Sequence, residues 1–171
     1  MKTLILMRHA KSAWDDAHQK DIDRPLSPRG QKAAPRMGVA LAAAGYAPKL
    51  VLCSTARRAR ETLDLVKPSL PDQTKVDYIS GFYMASPRDL LTGIGKAPAT
   101  ADTIMLVGHN PGLGSLAGLL AGSGDSKALG NLHLKFPTGA IAVLAFDANR
   151  WGDLAPGGGK LLAFLRPRDL D

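Results

Sequence analysis

The sequence has little sulfur and few rings: one cysteine in 171 residues, with Phe, Tyr and Trp together at 5%. A lone Cys53 cannot close an intramolecular disulfide, which agrees with a reducing compartment. The scarce aromatics are not interleaved with runs of Lys and Arg, so a stacking platform for single-stranded nucleic acid is not expected. No apolar run approaches the ~20 residues that span a bilayer. The opening MKTLILMRHA breaks at Arg8 before a signal-peptide core forms, so the expected location is cytoplasmic and no membrane partner is expected. What is present is a soluble balance of 45% hydrophobic and 22% charged residues, with a formal net charge of +7. That excess favours anionic partners: phosphorylated small molecules, acidic protein surfaces or, on basicity alone, nucleic acid.

Six short apolar runs recur, at Thr3–Met7, Lys49–Cys53, Lys75–Ile79, Thr103–Val107, Ala140–Phe146 and Lys160–Leu165. Several are nearly continuous, as in strands covered on both faces. Between them, Pro28–Ala44, Ala56–Val66, Pro87–Gly93 and Gly112–Ala121 read as helices. This alternation predicts a three-layer α/β/α sandwich around a mostly parallel sheet of about six strands. The last two runs are joined without a helical pattern, which predicts an antiparallel pair at one edge. No linker divides the chain, and residues 1–171 are expected to form a single domain. Ser27-Pro28 and Asn110-Pro111 each pair an N-cap with a proline at the first helical position. Pro35 falls inside the first helix and predicts a kink or a delayed start there.

Ligands of open α/β sheets bind beyond the carboxyl ends of the strands. Three strand ends here carry polar residues: Arg8-His9, Ser54-Thr55-Ala56-Arg57-Arg58-Ala59-Arg60, and Gly108-His109-Asn110-Pro111-Gly112. If those strands are parallel neighbours, two histidines and at least two arginines share one rim. Arginines at a helix N-terminus suit a tetrahedral dianion, and a histidine among them either accepts a phosphoryl group or donates to its oxygens. Neighbouring arginines would hold His9 neutral by disfavouring its protonation.

These residues carry a resemblance. MRHAKSAW (7–14) resembles the Arg-His-Gly signature of the histidine phosphatase superfamily, with Ala10 in the glycine place. The likeness continues through DRPLSPRG (23–30) and through Ser54, Arg58, Ala59 and Thr62 in the pattern SxxxRAxxT. It ends in VGHNPGL (107–113) and FPTGAIAVLAFD (136–147), so it covers essentially the whole chain. Length and later motifs are most similar to bacterial phosphohistidine phosphatases of the SixA type. The resemblance implies a phosphoglycerate mutase-like fold and a phosphatase without cofactor or metal. His9 would be the transiently phosphorylated nucleophile, while Arg8, Arg58 and His109 would bind the phosphoryl oxygens. Ser12 and Asp15 are expected to line the pocket.

Many members of that family place a glutamate after the third strand, where this chain reads Ile79-Ser80-Gly81-Phe82-Tyr83. Asp15 or Asp16 would then donate a proton by default. A missing acid favours phosphohistidine, whose imidazole leaves more easily than an alkoxide, over a sugar phosphate, and it argues against a mutase. The expected partner is a phosphorylated protein of the histidine phosphotransfer type, or else a small phosphorylated metabolite. A small-molecule phosphomonoesterase and a non-catalytic module that binds phosphorylated partners are the alternatives.

Other features read as structure. Ala59, not arginine, stands six positions after Cys53, so a cysteine-phosphatase loop fails and Cys53 is expected in a buried strand. Asp15, Asp16, His18, Asp21 and Asp23 are expected in a solvated loop with no metal. Asp21-Ile22-Asp23 lacks the preceding apolar strand of an aspartyl-phosphate enzyme. Gly112-Leu113-Gly114 lacks the acid of a dinucleotide site, and Gly157-Gly158-Gly159-Lys160 reads as a turn. Arg57 and Arg60 are expected to be solvated, Trp14 and Trp151 to pack, and His18 and His133 to lie at the surface.

Overall fold

Alternate residues of Leu4-Ile5-Leu6-Met7 point to opposite faces of a strand, and all four are fully buried. Leu4 and Leu6 enter one apolar cluster, Ile5 and Met7 another. A sheet therefore lies between two covered faces. The computed structural model describes residues 1–171.

The strands are β1 (Lys2–Arg8), β2 (Leu50–Ser54), β3 (Lys75–Ile79), β4 (Thr103–Gly108), β5 (Ala121–Gly124), β6 (Ile141–Phe146) and β7 (Gly159–Leu165). They form one sheet in the order β3-β2-β4-β1-β6-β7-β5. β1 to β4 pair in parallel; β6 is antiparallel to both β1 and β7, and β5 pairs in parallel with β7. Thus β6 alone runs backwards.

The helices are α1 (Pro28–Ala43), α2 (Arg57–Val66), α3 (Pro87–Gly95), α4 (Gly112–Leu120) and α5 (Ser126–Leu134). α1 and α2 cover the face of Ile5 and Met7 through Met37, Leu41, Leu63 and Val66. The other face is covered through Leu90, Ile94, Leu113, Leu116 and Leu132 of α3, α4 and α5. Each fully buried Leu, Ile or Met of this kind contributes about 1.5–3 kcal/mol. The expected sandwich is present.

The sheet differs from expectation at one edge. β5 and α5 carry no clear signal, because Ala-Gly-Ser-Gly lacks the branched residues of a strand. A Cβ on Gly122 would stand 1.8 Å from the Gly157 carbonyl oxygen, so the close backbone approach demands glycine there. Consequently β5, not the antiparallel pair, forms the edge.

α1 begins where its cap predicts, with Ser27 Oγ accepting from the Gly30 amide at 3.1 Å. It runs on through Pro35 without a delayed start. Asn110 caps α4 by accepting from the Gly114 amide at 2.9 Å, although helix begins one residue after Pro111.

Candidate active site

Register places the two histidines together. Arg8 pairs with Gly108 across the β1–β4 ladder, so the next residue on each strand is a histidine. The His9 amide donates to the Gly108 carbonyl at 3.1 Å, and the imidazole centroids lie 5.2 Å apart. β2 adjoins β4, which brings Ser54 and the start of α2 to the same rim. Arg8, His9, Arg58 and His109, expected from three strand ends, all line one cleft of about 360 Å³.

His9 is buried, and its Nδ1 lies 2.7 Å from the Ala10 carbonyl oxygen. A carbonyl only accepts, so Nδ1 carries the proton and Nε2 keeps its lone pair. Burial above all, then His109, Arg58 and Arg8, push its pKa down to about 3 against the raising effect of the Ala10 bond. Desolvation, more than the arginines, therefore keeps this ring neutral.

His109 is pushed down to about 4, again by burial first and Arg58 next. Its Nε2 lies 2.7 Å from Ser54 Oγ, which accepts from the Ala56 amide at 3.2 Å. Ser54 is fully buried, so its hydroxyl proton goes to His109 Nε2. The proton of the neutral His109 ring then sits on Nδ1. That atom is buried without a partner, and so is Arg8 Nε. Arg8 Nη1 donates to the Phe136 carbonyl at 3.1 Å, and burial and Arg58 lower the Arg8 pKa. Two buried donors in the cleft that holds His9 are the chemistry a tetrahedral anion would need.

Thr62 fastens α2 to the strand end. Its hydroxyl donates to the Arg58 carbonyl at 2.7 Å and accepts from the Ala10 amide at 3.0 Å. Ala59, between them on the helix, is fully buried. Ser54, Arg58, Ala59 and Thr62 thus each have a physical task.

Three residues enter the site unannounced. Asp21, in a short 3-10 turn (Asp21–Asp23), is the only carboxylate lining the cleft. Arg58 donates to its carbonyl at 2.7 Å and to Oδ2 at 3.0 Å, while Arg24 donates to Oδ1 at 2.9 Å. The Tyr83 hydroxyl also donates to Oδ2. That bond first, with Arg24 and Arg58, holds the Asp21 carboxyl well below the usual range, so it is ionised. The same bond raises the Tyr83 pKa. Arg24 is buried, and it also reaches Ser12 Oγ at 2.5 Å and the Ala13 carbonyl at 3.0 Å. Tyr83 meets His109 edge-on with centroids 5.5 Å apart. Asp21, Arg24 and Tyr83 lie in or beside short 3-10 turns without periodicity. The carboxylate density of residues 15–23 hinted at Asp21, and Arg24 falls in the DRPLSPRG stretch of the resemblance, which gave it no role.

Ser12 lines the cleft as expected, but Asp15 does not, and neither does Asp16. Both are exposed, and Asp21 takes the place foreseen for them. Trp14 is not a packing residue: it is 73% exposed, with the Arg24 guanidinium stacked 3.2 Å from its ring centroid. Trp151 does pack, donating to the Ala101 carbonyl at 2.8 Å. Cys53 is buried in β2, and burial pushes its thiol up to about 12. Arg57 and Arg60 are exposed and lie outside the cleft. The Asp15–Asp23 donors do not converge into a metal-ligand group. No helix is long and apolar enough to cross a membrane.

The family model for the histidine phosphatase superfamily, branch 1, matches residues 4–79. An uncharacterized protein of Mycobacterium tuberculosis is 41% identical over 95% of this chain and 100% of its own length. A solved structure assigned as the phosphohistidine phosphatase SixA of Nakamurella multipartita is 33% identical, with a TM-score of 0.84 over 97% of this chain and 96% of that one. The chain belongs to the histidine phosphatase superfamily and is a phosphatase of that class. Within the superfamily its likeness is to the SixA type. The protein histidine phosphatase SixA complexed with tungstate shares the fold at 22% identity, with a TM-score of 0.74 and 99% of each chain covered.

Proposed function

We propose that this phosphatase hydrolyses the N–P bond of phosphohistidine on a protein, through a phosphorylated His9. One observation carries the reading: a neutral His9 with a free Nε2 shares a cleft with Arg8 and His109, each of which holds a buried, unpartnered donor, Arg8 Nε and His109 Nδ1. In the first step Nε2 attacks phosphorus and the substrate's N–P bond breaks. Arg8, Arg58 and His109 stabilise the charge spread over the three equatorial oxygens. In the second step water attacks phosphorus, the P–Nε2 bond breaks, and inorganic phosphate leaves a regenerated His9. A protein histidine phosphatase SixA of this fold is complexed with tungstate, a tetrahedral oxyanion.

The substrate class follows from proton supply. An alkoxide leaving group needs an acid, yet the one carboxylate in the cleft is held ionised by Arg58, Arg24 and Tyr83. An imidazole leaves as a neutral ring once its second nitrogen is protonated, and water supplies that proton near neutrality. Asp21 acts instead as a positioning residue that holds Arg58 and Arg24 in place. Metal independence is part of the proposal, since every charge-stabilising group named is a side chain of this chain.

The test compares turnover of a histidine-phosphorylated protein with a panel of sugar phosphates, and follows radiolabel on the enzyme. Faster hydrolysis of phosphohistidine, with acid-labile label on the wild type but not on His9→Ala, is expected. Preference for the sugar phosphates would transfer the site to small phosphomonoesters. Absence of both label and turnover would leave a binding module.

A further inference from the structure

The catalytic cleft opens into a second hollow. This groove, about 170 Å³, is walled by Lys11, Arg29, Arg168, Pro137, Thr138 and Pro167, and it shares Lys11 and Thr138 with the cleft around His9. Its three cations come from three separate elements: the loop after β1, the first turn of α1, and the 3-10 turn (Pro167–Leu170) that follows β7. No carboxylate lines it. The acids nearest Arg168 along the chain are already engaged, Asp169 with Arg166 at 2.9 Å and Asp171 with Arg36 at 3.0 Å. Lys11, Arg29 and Arg168 take part in no ion pair.

The groove is also built rather than incidental. The Ser27 amide and hydroxyl donate to the Lys11 carbonyl at 2.9 and 3.1 Å, which ties the start of α1 to the loop bearing Lys11. A Cβ on Gly30 would stand 2.1 Å from that carbonyl oxygen, so only glycine permits the approach. On the other wall, Gly139 packs closely enough that a Cβ would lie 3.1 Å from Pro167. Two prolines and two tight backbone approaches keep three like charges together.

We propose that this groove is a docking subsite for a carboxylate side chain of the phosphorylated protein, presented beside its phosphohistidine. The inference rests on the reading of the substrate as a phosphorylated protein and extends it to the substrate's surface. All three cations are exposed, and Trp14 and Met84 stand exposed at the mouth, so the site meets a convex surface. A net charge of +7 steers acidic partners toward it.

The experiment uses two synthetic phosphohistidine peptides, one flanked by Asp and Glu and one by Ala, together with free phosphohistidine. Wild-type enzyme is expected to prefer the acidic peptide by about tenfold in kcat/KM, through KM and less so at high salt. The Arg29→Glu/Arg168→Glu variant is expected to lose that preference while turning over free phosphohistidine as before. Arg29→Gln/Arg168→Gln, which adds no negative charge, should show an intermediate loss. Equal turnover of the two peptides by the wild type, or a preference that survives both variants, overturns the subsite alone. Selectivity for a bisphosphorylated sugar over its monophosphate that vanishes in the variants assigns the groove to a small molecule and overturns it as well. Failure to hydrolyse any of the phosphohistidine compounds overturns the proposed function itself.

Discussion

β1 carries a cation at each end, and the two ends have opposite fates. Lys2, buried at the start, donates to the Ala99 carbonyl and pairs with Asp102 at 3.1 Å. Arg8, at the finish, keeps a buried Nε with no partner, next to an equally orphaned His109 Nδ1. The starting ends of β2 and β3 border the larger hollow, about 530 Å³ and lined by residues such as Lys49, Gln73, Thr100 and Ala101, but without a histidine or a carboxylate. The finishing end has the smaller cleft of about 360 Å³. Unsatisfied buried donors, not volume, set the finishing end apart: a native fold rarely leaves such groups without a reason, and the proposed oxyanion would complete both.

Removing the proposed nucleophile should erase the difference between the two ends. His9→Ala is expected to lower kcat by about 10⁴-fold or more and to abolish covalent labelling, measured by single-turnover kinetics. Next, removing one charge-stabilising donor, as in Arg8→Ala or His109→Ala, should cost about 100- to 1,000-fold in kcat. Asp21→Asn frees Arg58 and Arg24 from their shared acceptor, and a fall of about 10- to 100-fold in kcat is expected from their misplacement. That loss should resist rescue by raising substrate concentration. At the opposite rim, Gln73→Ala and Thr100→Ala should leave kcat/KM within about twofold; a larger fall would mean that the bigger hollow takes part.

Acid sharpens the same contrast. His9 and His109 are held near 3 and 4, below the ordinary histidine value of 6.5, so the unfolded chain binds more protons between those limits. Stability is then fully present above pH 6.5 and declines as pH falls toward 4, by about 1.4 kcal/mol per pH unit for each imidazole. Denaturant titrations from pH 7 to pH 4 measure this slope. A flat profile would contradict the buried neutral rings. For the same reason the acid limb of kcat/KM, which reports the free enzyme, should fall below pH 5 rather than near 6.5.

The legible part of this molecule was the part with regular periodicity. Buried strands announce themselves as apolar runs, and the residue just past each run must sit at the rim, so Arg8-His9 and Gly108-His109 could be placed from the chain alone. The arginines after β2 could be placed at the same rim, but only the SxxxRAxxT pattern of the resemblance singled out Arg58 from Arg57 and Arg60. The roles of Asp21, Arg24 and Tyr83 were illegible because irregular backbone and short 3-10 turns carry them to the site, and Arg58 and Tyr83 reach Asp21 from 37 and 62 residues away. Trp14 misled for a related reason: an aromatic ring is usually buried, but here a guanidinium covers one face and water the other. β5 escaped because its glycines answer to close backbone approach and not to strand propensity.

The single reversed strand has one more effect. With β6 turned around, the loop that enters it reaches the rim that the other strands leave behind, and the Phe136 carbonyl accepts there from Arg8 and from Asn110. The Gly139 amide clasps the backbone carbonyls of Arg8 and His9 at 3.1 and 2.9 Å. Lengthening or recolouring the short stretch between that carbonyl and Gly139 would therefore re-tailor what the enzyme accepts, while the strands on either side stay where they are.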